Sequence, residues 1–181
     1  GTPYTKKEVE LLDALLLVHA DHGGGNNSTF INSVAPSTLT DLYSAIVGGI
    51  GSLKGPRHGG ASIAVSQMMR AVEAEIGITT DRNKIQGVLA KLLNKDFFDK
   101  KGLIYGIGHA VYTLSDPRCE IIRKMCAELA PQKGFSEEFE FYKVFEQEAI
   151  KLLSEIKGIS VCGNVDFYSG FVYTMLGIPE E

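Results

Sequence analysis

The sequence predicts an all-α fold, and two observations support this prediction. Apolar residues recur at helical spacing in seven segments, and most of these segments begin at a capping residue or end at a glycine. No two neighbouring runs show the alternation of apolar and polar residues that paired β-strands require. Polar residues suited to ligand binding lie in glycine-rich loops between the predicted helices. We therefore expect helices to form the core and loops to carry the chemistry.

The first predicted helix begins after Thr5 and runs to about Val18. Thr5 and Glu8 form a capping-box pattern, in which two side chains satisfy free N–H groups of the first turn. The apolar stripe widens in the second half of this helix, so we expect the helix to be buried on most sides. A loop with three consecutive glycines follows His22, and these glycines free the backbone at that point.

The second predicted helix covers residues 37–53 and is capped by Ser37 or Thr40. One face carries only small residues, namely Ala45, Gly48, Gly49 and Gly51. Because each glycine weakens a helix by about 1 kcal/mol relative to alanine, we expect a close contact with another helix to compensate. That helix belongs either to the same chain or to a second copy.

Five further helices are predicted, at residues 61–76, 83–93, 117–130, 136–157 and 167–176. The last of these is apolar on nearly all sides and lies close to residue 181, so we expect elements outside the chain to cover it. Residues 103–112 combine β-branched and aromatic residues with two glycines. This composition favours an irregular loop with at most a short β pair.

The composition is that of an ordinary soluble globular protein, with 44% hydrophobic and 22% charged residues. The net charge of -4 argues against nucleic acid or a membrane surface as the main partner. No apolar run is long enough to span a membrane, and the N-terminus lacks the layout of a signal peptide. The three cysteines are too scattered for a disulfide framework, so we expect reduced thiols and a cytoplasmic location.

Residues 55–62 are the most unusual stretch of the chain. Pro56 fixes one φ angle before His58, and Gly59 and Gly60 allow the backbone to approach a ligand closely. A long helix is predicted directly afterwards, so His58 is expected beside a helix N-terminus. The positive end of the helix dipole disfavours imidazolium, which predicts a neutral histidine that donates a hydrogen bond. The alternative is a helix cap whose histidine only packs.

Other loops also place polar side chains beside glycines or helix starts, notably His22, His109, Arg118 and Asp166. The pattern H-A-D-H at residues 19–22 superficially suggests a metal site. The chain offers too few further ligands for one, so we expect no metal. Arg118 has an alternative interpretation as an ordinary salt bridge at the start of a helix.

Four segments together resemble the citrate synthase family: HADHGGGN at 19–26, GPRHGGA at 55–61, GIGHAVYTLSDPR at 106–118 and NVDFYSG at 164–170. They occur in the order of the family and at compatible separations. The resemblance implies an almost wholly helical fold in which a large and a small domain close over the substrates. It assigns residues 1–58 and 164–181 to parts of the large domain and residues 59–163 to the small domain.

The resemblance also implies three catalytic residues. His58 would donate a hydrogen bond to the thioester oxygen of acetyl-CoA, and Asp166 would take the methyl proton as the base. His109 would donate to the carbonyl of oxaloacetate and make it electrophilic. A hydrogen-bond donor already aimed at the developing oxyanion is commonly the largest catalytic contribution in such a reaction.

The substrate-binding residues follow from the same resemblance. His22 and Arg118 would hold the carboxylates of oxaloacetate, with Asn26 nearby in a supporting place. The adenine of CoA would lie against the backbone of Ile104, Tyr105, Gly106, Ile107 and Gly108. Acetyl-CoA would be a cosubstrate, and no tightly bound cofactor is expected.

The resemblance therefore implies the condensation of acetyl-CoA, oxaloacetate and water to citrate and CoA, the entry step of the tricarboxylic acid cycle. One alternative is 2-methylcitrate synthase, which uses propionyl-CoA, and another is a helical module that has lost catalysis. The family forms homodimers and supplies two further substrate-binding arginines from outside the segment present here. We therefore expect this chain to be an inactive fragment when it is isolated.

Overall fold

The computed structural model describes residues 3–20, 26–56, 58–109 and 111–179. Within these ranges it contains eight α-helices, one short 3₁₀ helix at Ala35–Thr38 and one isolated β-bridge between Ile107 and Gly163. The helices are α1 (Lys6–Ala20), α2 (Asn27–Val34), α3 (Leu42–Leu53), α4 (Ala61–Ile76), α5 (Arg82–Leu93), α6 (Pro117–Lys133), α7 (Ser136–Lys157) and α8 (Asp166–Met175). The prediction of an all-α fold is confirmed. The division into parts of two domains stays a prediction.

Local capping signals set several helix ends where the sequence predicts them. The Thr5 N–H donates to Glu8 Oε2 at 2.6 Å, and the Glu8 N–H donates to Thr5 Oγ1 at 3.3 Å, which completes the capping box of α1. Asp116 caps α6 by accepting from the Arg118 N–H at 3.0 Å. Helix α7 ends at Gly158, whose φ of 64° lies in the left-handed region that glycine adopts readily.

The prediction for residues 37–53 is wrong at its start. Helix α3 begins only at Leu42, because Asp41 is the N-cap and accepts from the Ser44 N–H at 3.0 Å. The preceding residues form the short 3₁₀ helix, which ends at Leu39 with a left-handed φ of 63°. Residues 27–34, which the sequence left unassigned, form α2 instead.

Helices α2 and α3 pack against each other, which explains the face of small residues on α3. A Cβ atom at Gly48 would lie 3.2 Å from the Ile31 side chain, and one at Gly49 only 2.0 Å from Asn32 Nδ2. The compensating helix therefore belongs to the same chain. No other described helix packs against either member of this α2–α3 hairpin (residues 27–53).

The core lies among α1 and α4 to α8. Helix α8 is at its centre, and its buried residues are Phe167, Tyr168, Ser169, Gly170, Phe171, Val172 and Met175. Its aromatic side chains meet those of α7, with the Tyr142 and Phe171 rings 4.8 Å apart. The expectation that elements outside the chain cover α8 is therefore wrong, because α1, α4 and α6 pack against it and aromatic side chains of α7 contact it.

Residues 103–109 and 111–112 form an irregular segment, in agreement with the prediction. Gly106 has a φ of 81°, and a Cβ there would lie 2.8 Å from the Phe167 ring, so this position requires glycine for both reasons. The three cysteines are buried free thiols. Among the described residues, no helix has both the length and the apolar character needed to cross a membrane.

Candidate active site

The loop between α3 and α4 holds His58 in a tight turn. The His58 N–H donates to Gly55 O at 2.9 Å, and the Gly59 N–H donates to Leu53 O at 2.9 Å. Cβ atoms at Gly59 and Gly60 would lie 2.2 Å and 2.6 Å from backbone oxygens of this same loop. These glycines therefore allow the backbone of residues 59–60 to pass close to that of Leu53 and Pro56. This packing explains both glycines without the close approach to a ligand that the sequence suggested.

The imidazole of His58 contacts the N-terminus of α2. Its Nε2 lies 3.2 Å from the backbone nitrogen of Ser28 and 2.9 Å from the Ser28 hydroxyl oxygen. Because a backbone N–H only donates, Nε2 accepts, and a neutral ring then carries its proton on Nδ1. The sequence predicted His58 beside the N-terminus of α4, which begins at Ala61, and the ring also contacts the N-terminus of α2.

Asn26 organises the same corner as the N-cap of α2. Its Oδ1 accepts from the Thr29 N–H at 2.8 Å, and the Ser28 hydroxyl lies 2.9 Å from the same oxygen. The cap therefore orders the turn that presents Ser28 to His58. His22, the other residue predicted in this region, lies outside the described residues.

His109 is held by its own loop. Its Nδ1 accepts from the backbone N–H groups of Val111 at 3.0 Å and Tyr112 at 3.1 Å, so a neutral ring carries its proton on Nε2. Nε2 also lies 3.2 Å from Nη2 of Arg118, a nitrogen that only donates, so this contact and the two backbone bonds at Nδ1 cannot all be hydrogen bonds to one neutral ring. With the proton on Nε2, the two N–H groups lie side by side, which suits an oxygen atom of a carbonyl or carboxylate.

Arg118 is positioned by a buried carboxylate. Asp116 accepts from Arg118 Nε at 3.0 Å and from Nη2 at 2.8 Å, and Tyr112 lies under the guanidinium with its ring centre 5.5 Å away. Burial would raise the pKa of Asp116, but the hydrogen bonds from Arg118 outweigh burial and hold this pKa below its usual value. The same pair raises the pKa of Arg118. Arg118 therefore does form a salt bridge at the helix start, and its side chain also lines the cavity described below.

Asp166 is the first residue of α8 and is half-buried. Its backbone N–H donates to Asn164 Oδ1 at 3.0 Å, and the preceding Val165 N–H donates to Asp116 Oδ2 at 3.2 Å. Burial together with the charge of Asp166 raises the pKa of Tyr173, and the charge of Asp166 also contributes to the raised pKa of Arg118. These couplings place the carboxylate near the tyrosine and the guanidinium.

One cavity of about 1460 Å³ brings most of these groups together. Of the residues predicted to form the site, those lining it are Asn26, His58, Gly108, His109, Arg118 and Asp166. Sequence reasoning did not single out Ser28, Ser62, Asn164, Ser169 and Tyr173, which also line it. Asn164 could have been found from the sequence, because it is a polar residue in a quoted motif two positions before Asp166. The contact of Ser28 with His58 has no local signal in the sequence.

The four other residues predicted to contact CoA lie elsewhere. Ile104, Gly106 and Ile107 are buried in the core, and the Tyr105 hydroxyl donates to Asp99 at 2.5 Å. The backbone of this segment binds the segment before Asp166: Gly106 O accepts from the Asn164 N–H at 2.9 Å. In the structure, residues 104–107 therefore anchor the loop that leads to the Asp166 carboxylate.

The described residues contain no group of three or more His, Cys, Asp or Glu side chains close enough to hold a metal ion. The charged and imidazole groups that line the cavity are one carboxylate, a guanidinium, the ammonium group of Lys54 and three histidines, which are His19, His58 and His109. Such a set can remove a proton, donate hydrogen bonds to developing oxyanions and bind an anionic ligand.

Comparisons with known proteins identify the family of this chain. The family model for the C-terminal domain of citrate synthase matches residues 1–181. Citrate synthase of Deinococcus radiodurans is 40% identical over 181 residues, which are all of this chain and 44% of that protein. Citrate synthase 2 of Bacillus subtilis is 40% identical over 174 residues, which are 96% of this chain and 42% of that protein.

Solved structures give the same result. Citrate synthase from Pyrobaculum aerophilum superposes with a TM-score of 0.81 at 28% identity, covering 99% of this chain and 41% of that one. A ternary complex of Thermoplasma acidophilum citrate synthase with carboxymethyl-coenzyme A and oxaloacetate gives 0.72 at 31% identity, covering 99% of this chain and 43% of that one. The chain thus spans less than half the length of these four relatives. By sequence and by fold, it belongs to the citrate synthase family.

Proposed function

We propose that this chain works as part of a longer citrate synthase, which condenses acetyl-CoA with oxaloacetate and water to give citrate and CoA. The observation that carries this proposal is the shared cavity of His58, His109, Arg118 and Asp166. In that cavity a carboxylate, two donors with defined ring protons and a guanidinium face one space. The names of the relatives point to the same reaction.

The first step is the removal of a proton from the acetyl methyl group by the Asp166 carboxylate. The negative charge moves to the thioester oxygen, where the Nδ1–H of His58 donates a hydrogen bond. The contact of Ser28 with Nε2 supports this role, because it fixes which nitrogen carries the proton. Loss of one such donor typically lowers kcat by about 10²–10³-fold.

The second step joins the two substrates. His109 Nε2–H donates to the keto oxygen of oxaloacetate, and Arg118 binds a carboxylate through a charge-assisted bond of about 1.5–3 kcal/mol. The enolate carbon attacks the keto carbon and forms a C–C bond, and the keto oxygen takes up a proton. Water then cleaves the thioester of citryl-CoA and releases citrate and CoA.

The cavity draws on segments before, within and after residues 59–163. This supports the proposed assignment of residues 1–58 and 164–181 to the large domain and of 59–163 to the small domain, with the site between them. Closure of two domains would exclude water and align the base with the acetyl group. The buried thiols support a cytoplasmic location.

The test is an assay of the full-length protein that carries this chain, with a thiol reagent that detects released CoA. We expect turnover with acetyl-CoA and oxaloacetate, and a parallel series with propionyl-CoA decides between citrate and 2-methylcitrate synthesis. The isolated chain is expected to be inactive because it lacks over half of the polypeptide of its relatives. Absence of CoA release from the full-length protein with either thioester contradicts the proposal.

We also propose that the α2–α3 hairpin forms a homodimer interface. Its exposed large apolar side chains are Phe30, Val34, Leu39, Leu42, Tyr43, Ile46, Val47, Ile50 and Leu53. Residues 26–53 contain a single charged residue, Asp41, so an identical surface meets almost no like charge across a twofold axis. A solvated helix pair of this composition is expected to bury that surface.

The variant Val47→Glu tests the interface, since this side chain is 67% exposed on α3. Ile159→Glu is the matched control, because Ile159 is 59% exposed but lies outside the hairpin. Sedimentation analysis should show dissociation in the first variant only. An unchanged dimer in Val47→Glu, or equal dissociation in both variants, contradicts this interface.

A further inference from the structure

Helix α7 carries two buried carboxylates that face opposite sides. Glu146 and Glu148 are each only 4% exposed. Glu148 faces α5, where it accepts from Arg82 and, at 2.5 Å, from Gln86 Nε2. Glu146 faces α6 and α8 instead. Two residues along a helix differ by about 200° in direction, so the two side chains sit in separate environments.

Glu146 contacts the segment that leads to Asp166. Its Oε2 accepts from the Tyr168 hydroxyl at 2.7 Å, and Tyr168 is in the first turn of α8. Its Oε1 lies so close to Gly163 that a Cβ there would be 2.2 Å away. The carboxylate thus touches the chain three residues before Asp166 and binds it two residues after.

The same segment is fixed from its other side. Gly163 forms the β-bridge with Ile107, and the Asn164 N–H donates to Gly106 O at 2.9 Å. The Val165 N–H donates to Asp116 at 3.2 Å. Glu146 therefore closes a set of contacts around the turn at residues 163–166, from which Asp166 enters the cavity.

Burying this carboxylate is unfavourable, which argues that it has a role. Burial raises the pKa of Glu146, although the Tyr168 hydrogen bond and the charge of Arg123, whose Nη1 is 3.7 Å away, act in the opposite direction. Burial and the nearby carboxylate also raise the pKa of Tyr168, so its hydroxyl keeps the proton that it donates. An apolar pair of similar volume would commonly be as stable or more stable, whereas a buried polar pair can specify one geometry.

We infer that Glu146 is a positioning residue, which acts through Tyr168 and the backbone of Gly163 to hold Asp166 in the cavity. The inference rests on the proposed function, because it assigns to Asp166 the role of base. Glu146 itself touches no reacting atom. Its removal should therefore lower kcat without weakening the binding of the keto acid.

The apolar pair Glu146→Leu/Tyr168→Phe tests this role separately from stability. Since the double variant replaces two buried polar groups together, we expect it to fold with a Tm no lower than that of Tyr168→Phe alone. Misplacement of the base should nevertheless lower kcat by about 10- to 100-fold. KM for oxaloacetate should change by less than about twofold, because the groups that bind the keto acid are untouched.

Glu148→Gln is the matched control. It removes the charge of an equally buried carboxylate on the same helix, and it should lower Tm while leaving kcat unchanged. If the double variant keeps the wild-type kcat, or if Glu148→Gln lowers kcat as much, Glu146 is only a structural residue and the inference is wrong.

Amide hydrogen exchange of the same full-length variants provides a readout that needs no activity. Tyr168→Phe should accelerate exchange at Asn164 and Val165 by about 5- to 10-fold and leave α5 unchanged. Unchanged exchange at these amides overturns the inference even if the wild-type protein is active. An inactive wild-type protein would overturn the proposed function, while the exchange data would still decide whether Glu146 and Tyr168 anchor the turn.

Discussion

The two histidine regions of the cavity reach similar arrangements by different means. In both, backbone N–H groups occupy one ring nitrogen and thereby leave the proton on the other. His109 receives its hydrogen bonds from residues two and three positions further along the chain. His58 receives its bond from Ser28, which is 30 residues away and belongs to the α2–α3 hairpin.

This difference shows which half of the cavity depends on contacts with a distant part of the chain. The His109 ring is oriented whenever its own loop is formed, whereas the His58 ring needs the hairpin in place. That hairpin has no other described helix packed against it. We therefore expect the His109 region to tolerate perturbation of α2 and α3, and the His58 region to respond to it.

The largest expected effect comes from the carboxylate that serves both regions. Asp166→Asn should lower kcat of the full-length protein by about 10²–10⁴-fold, since it removes the proposed general base. Oxaloacetate affinity should stay nearly unchanged, because the base acts on the acetyl methyl group. Steady-state kinetics and calorimetric titration with oxaloacetate measure the two quantities. Retention of half the wild-type kcat would show that Asp166 is not the base.

The next effect centres on the His109 region, although Asp116 also accepts from the Val165 N–H next to Asp166. Asp116→Asn removes the charged partner of Arg118, so the guanidinium loses its fixed position. We expect KM for oxaloacetate to rise by about 10- to 100-fold and stability to fall by about 3 kcal/mol, the usual cost of breaking a buried ion pair. Urea unfolding and initial rates measure these changes. An unchanged KM would mean that Arg118 does not bind the keto acid.

The stability change of this variant should depend on pH. The pKa of Asp116 lies below its usual value, so its contribution is fully present above the unfolded-state pKa of about 3.9 and is lost as the pH falls through the folded-state pKa. The difference in unfolding free energy between wild type and Asp116→Asn should therefore shrink on acidification from neutral pH. A difference that grows in acid contradicts the assignment.

A smaller effect is expected in the His58 region. Ser28→Ala removes the hydroxyl near Nε2 but keeps the backbone N–H, so kcat should fall by only about 5-fold. The ¹⁵N chemical shifts of the His58 ring should change while those of His109 stay the same. Ser33→Ala, on the same helix but with its hydroxyl bonded to Thr29 O, is the control. Equal changes at both histidines would break the distinction between the two regions.

The smallest effect tests the hairpin itself. A Cβ at Gly51 meets no atom within 4 Å, so Gly51→Ala should stabilise α3 by about 0.4–1 kcal/mol. Gly49→Ala should stabilise it less, since its Cβ would lie 2.0 Å from Asn32 Nδ2 and would displace that side chain from its packing on α3. Hydrogen exchange of the α3 amides measures both. If the two variants behave alike, the packing of α2 on α3 is not what holds the hairpin together.

The sequence predicted those parts of the fold that depend on local signals. The capping box at Thr5 and the left-handed glycine at Gly158 act within one helical turn, so they can be read directly. Helix α2 was missed because Asn, Ser and Thr have low helix propensity. Its stability comes from the Asn26 cap and from packing on Gly48, a contact across many residues.

The candidate site was predicted unevenly for the same reason. The resemblance named His58, His109 and Asp166, and all three line one cavity. Ser28 was not assigned to the site, because its contact with His58 exists only once distant segments meet. Asp116 was not assigned either, although its partner Arg118 is only two residues further along the chain. Helix α8 shows a further limit of sequence-based prediction. A helix that is apolar on all sides must be buried, but its own sequence does not identify the elements that bury it.

The composition of the cavity has a consequence for the order of folding. Its walls come from residues as far apart in sequence as Asn26 and Pro179, whereas the hairpin closes over a short stretch of chain. During synthesis the hairpin can form early. The cavity lacks the side that α8 contributes until α8 has emerged from the ribosome and packed against the core. A nascent chain that stops before Asp166 can therefore hold helical structure without any capacity to bind substrate. Ligand binding can therefore stabilise only molecules in which α8 has already been synthesised and packed.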